Sequence, residues 1–278
     1  MALPTFMLAS AMTWLSRPHF VALGPQAQQE SLPPVIFTAC NWYNSWKLPT
    51  LLAAMREHPD SPVLVIGGLG RLASASAVAL GAEAYEMREL LLRSGASASR
   101  VTAVGCFECG NATGLGACHC VGNTGFNVDR LVDRALVTSQ WRGRRLLVVE
   151  ESFLARRVYA TVLARLRKAG EAAGGLELFR AVEMRSTCTP FHTLKRRHGA
   201  EVAAKLVSGE VRRLAQYSAG PSLRIFRRGD FLVGHGDLAK FWSFLAPLLQ
   251  RWPLLASSDV VVQPLVIAHG PRSPSSEL

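Results

Sequence analysis

Short runs of apolar, β-branched residues recur along the chain, with amphipathic stretches between them. Val35-Ile36-Phe37-Thr38-Ala39 follows a Pro-Pro pair and predicts a buried strand. Residues 63–66, 101–104 and 146–149 predict three more strands, and 176–182 a fifth. Leu48, Leu51, Leu52 and Met55 fall at helical spacing over 48–58, as do Ala84, Met87, Leu90 and Leu91 over 83–94. Residues 127–138 predict another helix, and Leu154, Val158, Val162 and Leu166 mark a long one. Continuously apolar strands that alternate with helices imply a parallel sheet covered on both faces. The expected fold is therefore α/β, Rossmann-like and doubly wound, with a mostly parallel sheet of about five strands over residues 35–185.

After Met184 the pattern changes. Residues 192–218 read as helical and basic, 231–233 as a short strand and 238–249 as an amphipathic helix. They predict an appended region of the same unit over 186–269, and a Pro/Ser-rich disordered tail over 270–278. Residues 1–34 lead in. They carry an apolar stretch over 7–15 and no acidic residue before Glu30. A surface helix packed on the domain is the expectation there, with organelle targeting the alternative. No run reaches the roughly 18 apolar residues of a membrane span, and the expected compartment is the cytoplasm.

Composition narrows this picture only a little. A chain of 278 residues with 49% hydrophobic content is neither disordered nor a disulfide-dense mini-domain. The net charge of +11 is spread in small clusters such as Arg142/Arg144/Arg145 and Lys195/Arg196/Arg197. Such clusters read as a solvated basic surface or as an attraction for an anionic ligand. There is no lysine-rich tail and no recognisable nucleic-acid module, so no nucleic-acid partner is expected. Oligomeric state is left open.

In an open parallel sheet, ligands bind beyond the carboxyl ends of the strands. That rule singles out Asn41, then Gly67, Gly68 and Gly70, then Glu150 and Glu151. It also selects Asn123, Thr124 and Asn127 in the loop before a helix. Glu83, Arg156 and Arg157 sit at helix starts near the same rim. Glycines allow close backbone approach to a ligand, and the following helix start favours an anion. Gly68-Leu69-Gly70-Arg71-Leu72-Ala73 fits a dinucleotide fingerprint but follows the second strand; a tight turn is the other reading. Thr124, with Asn123 and Asn127, offers more polar groups than one helix cap uses. An arginine at 156 or 157 suits a carboxylate or phosphate.

Cys106-x-x-Cys109 and Cys118-His119-Cys120 admit tetrahedral zinc, reduced thiols or a disulfide. The distance between the two pairs is not a common zinc framework, so reduced thiols are the expectation. Cys40 and Cys188 read as small buried hydrophobes. Nucleophile-elbow, zinc-protease and Walker sequences are missing, which leaves Glu83, Glu150 and His235 as the only candidate bases.

The order of these motifs carries a resemblance. Ala39-Cys40-Asn41, Gly67-Gly68-Leu69-Gly70, Ala82-Glu83-Ala84, Asn123-Thr124-Gly125-Phe126-Asn127 and Val149-Glu150-Glu151-Ser152-Phe153-Leu154-Ala155-Arg156-Arg157 together resemble the YdcF/SanA/ElyC family, closest to its YdcF-type members. Residues 11–20, 208–214 and 228–233 resemble the N-terminal helix and C-terminal part of YdcF-type chains. The resemblance implies a Rossmann-like fold and a site for S-adenosylmethionine or a similar nucleotide-like molecule, with no settled reaction. A transferase or hydrolase acting on a phosphorylated or nucleotide-linked substrate is the alternative. Phe126 stands where the family usually has Glu, so binding is expected ahead of catalysis. The Cys-rich loop before Asn123 lies outside the family pattern.

Overall fold

A computed structural model of the protein describes residues 5–16, 18–23, 32–69, 73–105, 124–173 and 177–219. The chain enters through helix α1 (Thr5–Ser16) and a short strand β1 (His19–Ala22). Strand β2 (Val35–Ala39) leads to α2 (Asn44–Glu57), and β3 (Val63–Ile66) to α3 (Ala75–Leu80) and α4 (Glu83–Arg93). Strand β4 (Val101–Val104) is followed among the described residues by α5 (Thr124–Val137), β5 (Arg145–Glu150) and α6 (Ala155–Ala172). Strand β6 (Ala181–Ser186), α7 (Phe191–His198) and α8 (Ala200–Ala219) complete the described chain.

The sheet order is β1-β6-β5-β2-β3-β4. Strands β2 to β6 are all parallel, and β1 adds an antiparallel edge on β6. The chain builds outward from β2 through β3 to β4, then returns to lay β5 on the other side of β2. The strand order thus reverses between β2 and β5, and in open α/β sheets the carboxyl ends of such a pair border a crevice.

Alternation along the strands sends side chains to two cores. Phe37, Leu64, Leu146, Val148 and Met184 pack with residues of α1, α5, α6, α7 and α8. Ile36, Val63, Val65, Leu147 and Val149 pack with α2 and α4. Helices on both faces make the fold α/β and doubly wound, as the apolar runs require. Among the described residues no helix is long and apolar enough to cross a membrane.

The structure redraws several expected boundaries. The fifth parallel strand is Ala181–Ser186, in place of 176–182. Leu178 and Phe179 are buried, but before the strand, where Arg180 donates its N–H to Arg144 O (3.0 Å). The strand itself looked polar because Glu183 and Arg185 lie on one face. There Glu183 pairs with Arg145 at 2.8 Å and Arg185 with Glu57 at 2.6 Å. Strand β1 had no sequence signal; four residues draw their hydrogen bonds from β6 alone.

Two helical readings also change. Helix α2 begins at Asn44, one turn before its apolar periodicity starts. The basic stretch 192–218 is two helices, broken at Gly199, whose φ of 82° other residues rarely adopt. The N-terminal helix is part of the core, not a surface addition. It buries Met7, Leu8, Met12, Trp14 and Leu15 against α6, α7 and α8. A fully buried side chain of that size contributes about 1.5–3 kcal/mol. The strand and helix expected at 231–233 and 238–249, and the tail over 270–278, lie outside the described residues.

Candidate functional site

The carboxyl ends of β2 and β5 meet at the crevice, and the turn after β2 is built by asparagines. Asn41 Oδ1 accepts from the Tyr43 N–H at 2.9 Å, and the Asn41 N–H donates to Asn44 Oδ1 at 3.1 Å. Such Asx turns reverse a chain within a few residues. The buried Asn44 then donates through Nδ2 to Glu83 O (2.8 Å) and Glu86 Oε2 (3.0 Å). The turn after β2 is thereby fastened to the start of α4.

One turn further along α2, Lys47 reaches back beneath the crevice. Its ammonium donates to Ala39 O and lies 3.0 Å from Glu150 Oε1, at the end of β5. Both side chains are fully buried. Two charges are tolerated there because each neutralises the other and both hydrogen-bond. Cys40 lies in this cluster. Burial pushes its thiol up, Lys47 opposes that, and the nearby Glu83 and Glu150 add to it. Cys40 is a buried thiol with no thiolate character at neutral pH.

Past Glu150 a second network forms. Glu151 is fully buried. Its Oε1 accepts from Thr187 Oγ1 (2.8 Å) and from the Ser152 N–H (3.1 Å). Ser152 Oγ and Thr189 Oγ1 lie 3.0 and 2.9 Å from the same Thr187 hydroxyl, and the Thr189 N–H donates to Ser152 Oγ. Burial raises the Glu151 pKa, and the Thr187 and Thr189 hydroxyls only partly oppose that. Tyr43 faces Glu151 from across the crevice. Its ring meets Phe153 edge-on at 4.8 Å, and burial, with Glu151 and Glu210 nearby, pushes its hydroxyl pKa up.

Helix α8 comes over this rim. Its buried Glu210 accepts from Arg157 Nε (2.5 Å) and Nη2 (3.3 Å), and Arg213 pairs with the same carboxylate. Arg157 also donates to Thr124 Oγ1 at the first residue of α5. Sequence neighbours here part company. Arg156 turns inward, donates to Trp14 O at 3.1 and 3.3 Å, and lies over the Trp14 ring at 4.1 Å. It docks α1, whereas Arg157 stays at the rim.

The remaining expected site residues divide in the same way. Asn127 is buried one turn into α5, and its Oδ1 has no hydrogen-bond partner among the described residues. Glu83 is buried at the start of α4. The carbonyls of Gly67 and Gly68 accept from the Ala84 and Glu83 N–H groups at 3.2 and 3.1 Å, so this glycine pair caps α4. A Cβ on Gly67 would lie 2.7 Å from Cys40 Cβ, so the close approach made there is between β3 and β2.

Gly70, Asn123, Cys106, Cys109, Cys118, Cys120 and His235 lie outside the described residues. Among the described residues no three His, Cys, Asp or Glu side chains come together as metal ligands. Cys188 is exposed with φ of 52°, in contrast to the buried position expected of it.

Sequence reading overlooked Lys47, Asn44, Tyr43, Thr187 and Glu210. Lys47 stood just ahead of the apolar spacing of α2, between Trp46 and Leu48; Glu210 lay within the stretch 208–214 without being picked out, and the others carried no signal. Compared with family models, with curated proteins and with solved structures, the chain gave no match in any of the three.

Proposed function

We propose that this α/β protein binds a nucleotide-like small molecule, S-adenosylmethionine first among the candidates, at the crevice between β2 and β5. One observation carries the reading. Buried polar atoms from the turn after β2, from α5 and from the end of β5 have no hydrogen bond among the described residues: Tyr43 Oη, Asn127 Oδ1, Glu150 Oε2 and Glu151 Oε2. Leaving a buried polar atom unpaired costs about 1–3 kcal/mol, so a fold retains several together where something else pairs with them. Tyr43, Glu150 and Glu151 follow or end the two strands at the order reversal, and open α/β sheets commonly take their ligands beyond such strand ends.

The likeness of the motif order to YdcF-type proteins supports the same reading and supplies the candidate ligand. Its carboxylate would compete with Glu210 for Arg157 and Arg213, and its ribose and amino groups would find the carboxylate acceptors. Titration calorimetry with S-adenosylmethionine tests this on the full chain. Saturable heat with one site per chain is expected; no heat above the blank, from protein shown to be folded, rejects it.

A transferase or hydrolase is the second reading. It is favoured by Glu151, a buried carboxyl with a raised pKa next to three hydroxyls, since general acids and bases are tuned by burial in this way. Turnover of an activated phosphate ester or a methyl acceptor that Glu151→Gln abolishes even at saturating ligand would establish it.

A further inference from the structure

Glu151 has one oxygen held and one oxygen offered. Thr187 Oγ1 and the Ser152 N–H fix Oε1, and Thr187 is itself set by Ser152 and Thr189. Oε2 is buried and has no hydrogen-bond partner among the described residues. The carbonyl of Glu151 accepts from the Leu154 and Ala155 N–H groups (2.9 Å each), which ties its backbone to the start of α6. Such a carboxyl cannot swing away; its second oxygen is fixed in place beyond β5.

We infer that Glu151 Oε2 is a ligand contact of the crevice, and that it takes a hydrogen-bond donor, an amino group or a hydroxyl, from the bound molecule. This rests on the binding reading above. The chemistry of the surroundings selects a donor. Among the described residues no cation is hydrogen-bonded to Glu151, and Tyr43, which lies near it, keeps its proton. Glu150, the residue before it, is a charged neighbour of Glu151, while Glu210 and Arg213 on α8 act on the nearby Tyr43, and Arg157 is engaged by Glu210. An incoming amine or hydroxyl would pair with the ionised carboxyl and stabilise it.

Binding would then be linked to protons. Burial keeps Glu151 protonated to a higher pH than an ordinary carboxyl, and a ligand donor pairs more strongly with the ionised form. The ligand therefore displaces a proton, and affinity falls as pH is lowered through the pKa of Glu151. The limit is about tenfold per pH unit for one proton.

The test is calorimetry with S-adenosylmethionine, and separately with adenosine, in buffers of different ionisation enthalpy over a pH series. Wild type should release a proton on binding. Glu151→Gln should bind about tenfold more weakly or worse where wild type is ionised, and should lose that proton release. Thr187→Val keeps the carboxyl and removes a hydroxyl that favours its ionised form, so the pH step should move upward. That shift is one a merely structural Glu151 would not produce, and it is available if Glu151→Gln does not fold. Folded variants that match wild type in affinity and proton release overturn this contact and leave the binding reading standing. Folded wild type that binds neither probe overturns both.

Discussion

The Lys47 ammonium lies 3.0 Å from Glu150 Oε1, and solvent reaches neither side chain. The pair joins α2 to the end of β5 across the point where the strand order reverses, and Lys47 also holds Ala39 O at the end of β2. Removing one partner leaves a buried charge uncompensated. Lys47→Met should therefore destabilise the protein by about 3–5 kcal/mol in urea unfolding. The double substitution Lys47→Met with Glu150→Leu should recover a large part of that loss. A double variant as unstable as the single one would mean that the pair does more than cancel charge.

Gly67 is predicted to reject any side chain, although its φ is not in the left-handed region. A Cβ there meets Cys40 Cβ at 2.7 Å and Cys40 O at 2.9 Å, where backbone cannot easily yield. Gly67→Ala should cost about 1–3 kcal/mol, the range of overpacked cores. Cys40→Gly in the same chain should relieve part of it. Thermal unfolding of the three variants decides the matter.

Arg156 and Arg157 should give opposite results when replaced. Arg156→Ala removes charged hydrogen bonds to Trp14 O and should lower stability by about 1.5–3 kcal/mol with ligand affinity unchanged. Arg157→Ala frees Glu210 and Thr124 at the rim and should weaken S-adenosylmethionine binding. Equal effects of the two on affinity would contradict this division.

His198 makes stability fall in mild acid. Its ring lies against Trp46 at 4.8 Å and Trp42 at 5.8 Å, and burial, with Arg197 adjacent, lowers its pKa below the ordinary 6.5. The unfolded chain takes up a proton first. The contribution is thus fully present above pH 6.5 and is lost as pH falls through the depressed folded value. His198→Phe should flatten that part of the stability profile. His58 is depressed in the same direction, so wild type and variant must be compared over the same pH range.

The strands show how far a sequence can be read. Residues 63–66 are a strand as predicted, since a buried parallel strand is apolar on both faces and announces itself locally; the edge strand 101–104, with Thr102 exposed, was legible from its β-branched residues. Strand β6 misled because its outward face is charged, and those charges find Arg145 and Glu57 only once β5 and α2 are in place. Helix α2 hid its first turn for a related reason. Asn44 and Lys47 are polar residues buried by distant partners, and periodicity counts them as solvent-facing.

What the sequence determined alone is the alternation of strands and helices over the parallel sheet, and hence the α/β class. Burial on a face is encoded in local spacing, and local spacing is what a sequence displays. The tertiary structure decided which polar residues face one another: Lys47 with Glu150, Thr187 with Glu151, Glu210 with Arg157, and Trp14 with Arg156. These partners are far apart in the chain or, like Arg156 and Arg157, adjacent in it and turned to different neighbours. Pairing of that kind depends on where the folded sheet brings each element, which no local pattern records.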